Sequence, residues 1–403
     1  SAGPHLHLEL RRPETGEYID PMPYFKHLLK DSKAPVGSLI GIYPIQGKGV
    51  VNGSSHKKLL AIGNLKQPVH AWGEIYTGIS AKDYMDGTSN FYGVHSVTLY
   101  VNSVQVFNST TDKVLPDENR MINGFTDYEE LTRTRRLIMR SYKLPGNRLR
   151  LLHTNENRGA VTIDEERDYH FRYVLEDNFG NRRTYQFIVK GKRQDIPEYK
   201  PEANEMLYWN RTNVIQKPGM ELVVPRYYVY EDVPLRTDMR GDSSHIAFDY
   251  ILDAGRTPIH SYCDLSIGLR HMPVADTTKY YIVQKAGKWR SSMGGKYANG
   301  WIKTRVRSLG TFSVDVDTIA PQITPIGQGG WRTSRNIRFR IKDMESGIGS
   351  YKVYIDGKFV LFGLKKGILV IQNPEKVKKG VPHKLEVTVT DQCGNMARKE
   401  YKF

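Results

Sequence analysis

The chain has 403 residues, beyond one ordinary domain, so roughly two to four domains are expected. Hydrophobic residues make up 39% and charged residues 25%, which is globular composition and excludes a disordered tail; no run of roughly eighteen apolar residues long enough to span a bilayer occurs. The formal net charge of +16 attracts polyanions through long-range fields, which leaves nucleic acid, anionic envelope polymers and membrane surfaces as candidate partners.

In chain order, the first segment is Ser1-Ala-Gly-Pro-His-Leu-His-Leu-Glu-Leu-Arg11. His5 and His7 stand two apart in an alternating run, so on a strand both imidazoles project from one face. The glycine and proline ahead of them make a turn that delivers the strand into a site. Two converging neutral imidazoles can supply a zinc ligand and a catalytic partner, although a bare His-x-His is also met as a solvated pair. With Ile19-Asp-Pro-Met-Pro-Tyr-Phe25 behind it, the string resembles the closing segment of the lysostaphin or LytM-type zinc metalloendopeptidases, the duplicated hybrid motif peptidases. Their pattern there is Ser-x-Gly-Pro-His-Leu-His-Phe-Glu-x-Arg, then Asn/Asp-Pro-x-x-Tyr-Leu.

The resemblance implies that His7 is a zinc ligand and that His5 assists catalysis beside the metal-bound water. It further implies hydrolysis of peptidoglycan cross-links, with zinc polarising the peptide carbonyl and lowering the pKa of water. The family's remaining ligands, a His-x-x-x-Asp motif and another histidine, precede this segment. The chain therefore reads as a C-terminal portion with an incomplete zinc site, inactive alone. His245-Ile-Ala-Phe-Asp249 repeats the bare spacing, but it follows the pair, lacks flanking glycines, and is expected by chance.

Beyond a break near Asp31 to Pro35, apolar and polar residues alternate over short runs bounded by Gly, Asn, Asp and Pro, the signature of half-buried strands. His95 to Val101 and Lys384 to Thr390 are clear instances. One short helix is expected around Tyr128 to Met139, with Glu129 and Glu130 in its first turn and arginines in its last. Two acid-free stretches concentrate the charge: Arg133, Arg135, Arg136, Arg140, Lys143, Arg148 and Arg150, then Lys285, Lys288, Arg290, Lys296, Lys303, Arg305 and Arg307 around Trp289 and Trp301. A solvated strand face and a binding patch both account for such runs. No zinc finger, Arg-rich helix or RNP-type strand is found, so nucleic acid is not the expected partner.

Asp177-Asn-Phe-Gly-Asn181 and Asp391-Gln-Cys-Gly-Asn395 share an ending that reads as a strand-reversing Asx turn in a repeated module. Calcium is the sharper reading of those aspartates, set aside because too few carboxylates cluster for a hard-cation cage. The stretches Lys190 to Asn204 and Asp317 to Pro325 read as linkers. Cys263 and Cys393 are expected as small buried residues in different domains.

These readings give an all-β chain of tandem immunoglobulin-like β-sandwiches. Its expected parts are a peptidase remnant over 1–30, a β-sandwich over 36–195, a β-rich domain over 200–316 and a final sandwich over 319–403. The leading functional expectation is the C-terminal portion of an exported, periplasmic or envelope zinc endopeptidase. The alternative is a non-enzymatic envelope scaffold or binding protein. Peptidoglycan or another anionic envelope polymer, and an envelope protein, are the expected partners.

Overall fold

The computed structural model describes residues 7–242 and 244–403, and the chain is all-β. The core of the first unit is organised by two long paired strands, Val36–Val51 and Val69–Tyr84. Their ladder shifts between Pro44 and Gly49, where Pro44 has no N–H to give. It resumes at Gly49 opposite Gly73, where the backbones come so close that a Cβ on Gly49 would lie 2.0 Å from the carbonyl oxygen of Glu74. Only glycine fits such a crossing.

The strand Asp168–Glu176 alternates as the sequence does, placing Tyr169, Phe171, Tyr173 and Leu175 inward. It pairs with Ser96–Val101 on one side and Arg182–Gly191 on the other. The eleven-stranded sheet is antiparallel except where Arg182–Gly191 runs parallel to Val69–Tyr84. Its strands contribute to one core containing Ile40, Ile42, Ile75, Leu99, Phe107 and Phe187. The leading segment docks onto this unit: Leu10–Arg11 pairs with Tyr18–Ile19, which pairs with Lys113–Val114. Buried Glu17 accepts from Arg150 Nη2 at 2.7 Å.

The second unit packs a six-stranded sheet against a five-stranded one, and the third packs two four-stranded sheets. Leu222, Tyr250, Leu265, Ile282, Ile302 and Phe312 fill the second core. The third is centred on Trp331, which is 0% exposed and donates its indole N–H to the Ile326 carbonyl at 2.9 Å. Phe339, Tyr401 and Phe403 meet its ring edge to face.

Side chains cross both junctions. Tyr230 of the second unit belongs to the first core, and its hydroxyl donates to the Arg120 carbonyl at 3.0 Å. At the other junction Lys279 Nζ donates to the Cys393 carbonyl at 3.0 Å, and Cys393 joins Tyr281 and Val283 in a small apolar cluster. Both cysteines are buried and free; burial pushes the Cys263 thiol up to about 12 and the Cys393 thiol up to about 11.

Where the sequence predicts a helix to Met139, the helix is Tyr128–Thr134, capped by Asp127, whose side chain accepts from Glu130 N. It ends because Arg135 turns left-handed at φ 64, and Met139–Arg140 instead pairs with the long strand Val69–Tyr84.

Candidate functional site

Of the two histidines singled out by sequence, His5 lies outside the described residues. His7 is exposed, with Nε2 2.8 Å from Glu9 Oε1, and Arg11 Nε donates to the other oxygen of Glu9 at 2.9 Å. Hydrogen bonds from His7 and Arg11 hold the Glu9 carboxyl below its ordinary range. Among the described residues, the groups of three or more potential metal ligands consist of aspartates and do not include His7. A catalytic zinc takes three protein ligands, chiefly imidazole or thiolate, so these residues do not fit a zinc centre. His245 and Asp249 do not converge: His245 Nδ1 lies 2.9 Å from Asp242 Oδ1, and Asp249 accepts from Lys285 Nζ at 2.6 Å.

The first basic stretch is dispersed by the fold. Arg133 and Arg136 reach the buried carboxylate of Glu130 at 2.7 and 3.4 Å. Arg150 bridges Glu17 and Glu118, and Arg148 lies over the ring of Tyr227 at 4.7 Å. Three of its seven cations are thus paired with carboxylates of the same unit.

The second stretch is gathered into a surface. Along Trp301–Val306 and the residue after it, the period of two sends Ile302 and Val306 into the core and leaves Lys303, Arg305 and Arg307 exposed. Trp301, half-buried, belongs to the same face. The neighbouring strand Lys296–Ala298 sets Lys296 opposite Lys303 and Ala298 opposite Trp301. On the other side Ser266 lies opposite Lys303, and Gly268 opposite Trp301 leaves the indole uncrowded. The guanidinium groups of Arg305 and Arg307 stand over Tyr262 at 5.7 and 4.7 Å. Two members of the stretch are neutralised elsewhere, Lys285 by Asp249 and Arg290 by Asp315. Trp289, at the tip of the adjoining hairpin, is 80% exposed.

A cleft of about 410 Å³ lies between the first and second units, lined by Tyr43, Arg140 and Leu144 on one side and Tyr230, Arg256 and Pro258 on the other. Within it Arg140 Nε and the Tyr43 hydroxyl are buried without a hydrogen-bond partner among the described residues. Burial drives the Tyr43 hydroxyl upward, so it stays a neutral hydrogen-bonding group. No local sequence signal marks this cleft, because its walls come from distant strands.

Comparison with known proteins places one region. Residues 204–317 match the family model of the Zu5-like domain, which covers the second unit. No curated protein matches the chain significantly. Three solved structures align over most of it. One is from "Structural insight into host cell surface retention of a 1.5-MDa bacterial ice-binding adhesin", at 9% identity and TM-score 0.15, over 82% of this chain and 89% of that one. The second is from "Ca2+-stabilized adhesin helps an Antarctic bacterium reach out and bind ice", at 10% identity and TM-score 0.16, over 89% and 98%. The third is SGBP-B of the Bacteroides ovatus mixed-linkage glucan utilization locus, in complex with a mixed-linkage heptasaccharide, at 10% identity and TM-score 0.13, over 93% and 70%. At TM-scores this low the superpositions establish no shared fold.

These findings correct the reading of the chain as a LytM-type metallopeptidase and hydrolase. The family model that matches, over 204–317, describes a Zu5-like domain and not a peptidase or hydrolase. The non-enzymatic alternative is the better supported reading. Among the described residues no helix is long and apolar enough to cross a membrane.

Proposed function

We propose that the chain is a non-enzymatic binding protein of the cell envelope or cell surface, an array of β-rich units whose second, Zu5-like unit holds an anionic envelope polymer. The observation that carries this reading is the row Trp301, Lys303, Arg305 and Arg307 along one exposed strand face, extended by Lys296 and Tyr262. Alternate residues on a strand are spaced by about 6.6 Å, so the row offers a regular line of cations to an extended chain of negative groups. The indole supplies a flat apolar contact of the kind that stacks on ring faces. Cross-junction contacts hold the face in a fixed relation to the neighbouring units.

Binding to purified cell-wall polymer bearing phosphate or carboxylate groups tests the proposal. Lys303→Glu with Arg305→Glu is expected to weaken binding by about tenfold or more, and about 0.5 M salt to weaken wild-type binding by screening. The same change in charge placed in the third unit, Lys365→Glu with Lys366→Glu, is expected to leave affinity within about twofold, since separated exposed charges are screened beyond about 8 Å. Equal losses from the two pairs would show that net charge alone is responsible and would sink the assignment to this face.

A further inference from the structure

Three short motifs recur in corresponding places of the first and third units. Asp31-Ser-Lys-Ala-Pro35 and Asp317-Thr-Ile-Ala-Pro321 lead into a first strand. Asp83-Tyr-Met-Asp-Gly87 and Asp343-Met-Glu-Ser-Gly347 lie where a later strand ends. Asp177-Asn-Phe-Gly-Asn181 and Asp391-Gln-Cys-Gly-Asn395 turn the last hairpin. The fold brings the leading aspartates together: Asp31, Asp83 and Asp177 offer oxygens within 4.8 Å of one another, and so do Asp317, Asp343 and Asp391.

Much of the bonding is shared. Asn181 Nδ2 donates to Asp177 Oδ2 at 2.8 Å and to the Asp31 carbonyl at 3.2 Å. Asn395 Nδ2 donates likewise to Asp391 Oδ2 at 2.8 Å and to the Asp317 carbonyl at 2.9 Å. Asp31 Oδ1 accepts from Lys33 N at 3.0 Å as Asp317 Oδ1 accepts from Ile319 N at 2.9 Å.

The clusters differ in the oxygens that remain. In the third unit Ser346 N donates to Asp317 Oδ2 at 3.0 Å and Gly347 N to Asp343 Oδ1 at 2.7 Å. Their counterparts in the first unit, Asp31 Oδ2 and Asp83 Oδ1, are buried with no hydrogen-bond partner among the described residues, and Asp83 is only 8% exposed. The neighbouring ammonium of Lys33 donates to the Met85 carbonyl at 3.0 Å, not to a carboxylate. Buried carboxylate oxygens without donors are costly, and like charges gathered in one place call for a positive partner.

We propose that Asp31, Asp83 and Asp177 hold a divalent cation of the Ca2+ class where the leading segment joins the first sandwich, a site that the third unit closes with its own N–H groups. The donors are all oxygen, which favours a hard cation over zinc. Ligand oxygens at about 2.3–2.6 Å from one ion can stand up to about 5 Å apart, whereas Mg2+ at about 2.0–2.1 Å draws them closer. Oxygens of all three aspartates lie within that reach of one another. Water and main-chain carbonyls complete a sphere of about six to eight oxygens. Bound there, the ion ties the segment before Val36 to the ends of two later hairpins.

Calcium titration of the full, chelator-treated chain by calorimetry tests this. One ion per chain is expected, with a dissociation constant of about 10⁻⁴–10⁻³ M, the range of extracellular calcium modules. Asp83→Asn is expected to weaken binding by at least tenfold and Asp343→Asn to leave it within twofold. Asp31→Asn, at a less buried position, serves as a second variant should Asp83→Asn fail to fold, and the same tenfold loss is expected. No binding by the wild-type chain up to about 10 mM Ca2+, well above that range, would overturn the proposal. Equal losses from Asp83→Asn and Asp343→Asn would overturn it as well.

Discussion

Asp83 shows how one side chain registers its surroundings as a pH dependence. Burial and the charges of Asp177 and Asp31 raise its carboxyl to about 6 from an ordinary value of 3.8. The folded chain therefore holds the proton more tightly than the unfolded chain between those limits, and stability from this group falls as pH rises from about 4 to about 6. The charged groups acting on it are Asp177 and Asp31, the backbone N–H of Tyr84 opposes the shift, and Lys33 donates to the Met85 carbonyl. Asp83→Asn is expected to remove this component, so the wild-type chain loses stability relative to the variant as pH rises from 5 to 7 in chelator. Denaturant unfolding at both pH values measures it, and a pH-independent difference between the two proteins would refute it. Asp177 and Asp391 were legible as turn formers because their partners lie within four residues. Their meeting with Asp31, Asp83, Asp317 and Asp343 was not, since those carboxylates arrive from distant strands; the reason for setting calcium aside does not survive in the first unit.

At the scale of elements, strand alternation conveyed most of what the structure contains. Asp168–Glu176 and Lys384–Asp391 alternate inward and outward as their sequences do. The helix after Asp127 was legible at its start and not at its end, because Arg135 adopts a left-handed conformation that its side chain does not advertise. Asp127 both caps this helix and meets Lys57 Nζ at 2.8 Å. Asp127→Ala is expected to cost about 1–2 kcal/mol in denaturant unfolding, and a loss below about 0.3 kcal/mol, less than the usual cost of a lost cap, would show that neither contact matters. The two basic stretches looked alike in sequence and fare differently. In one, Arg133, Arg136 and Arg150 pair with Glu130, Glu17 and Glu118 and the rest are dispersed, whereas the other places Lys303 and Arg305, with Arg307 just beyond, on alternate positions of a strand whose far side is core. Charge counting could not separate them, since the difference lies in acids supplied from elsewhere in the fold.

Over the whole molecule, three cores form separately and are joined by a few specific contacts. Trp331 is the centre of the third, and Trp331→Ala is expected to cost that unit about 3–5 kcal/mol. Calorimetry should show one transition shifted down while those of the other units hold within a few degrees; a uniform shift would mean that the junctions couple all three cores. The all-β class was readable from periodicity and turn residues. The Zu5-like match was not, because nothing local in 204–317 distinguishes one two-sheet stack from another. The cleft at Tyr43 and Tyr230 escaped for the same reason. The two leading histidines lie outside the matched region, and His5 outside the described residues.

Amide hydrogen exchange of the full chain, with and without saturating anionic cell-wall polymer, tests the binding assignment most directly. Slowed exchange concentrated in 296–307 and the paired strand Cys263–Gly268 is expected. Protection confined to other units, or no change at saturation, would contradict it.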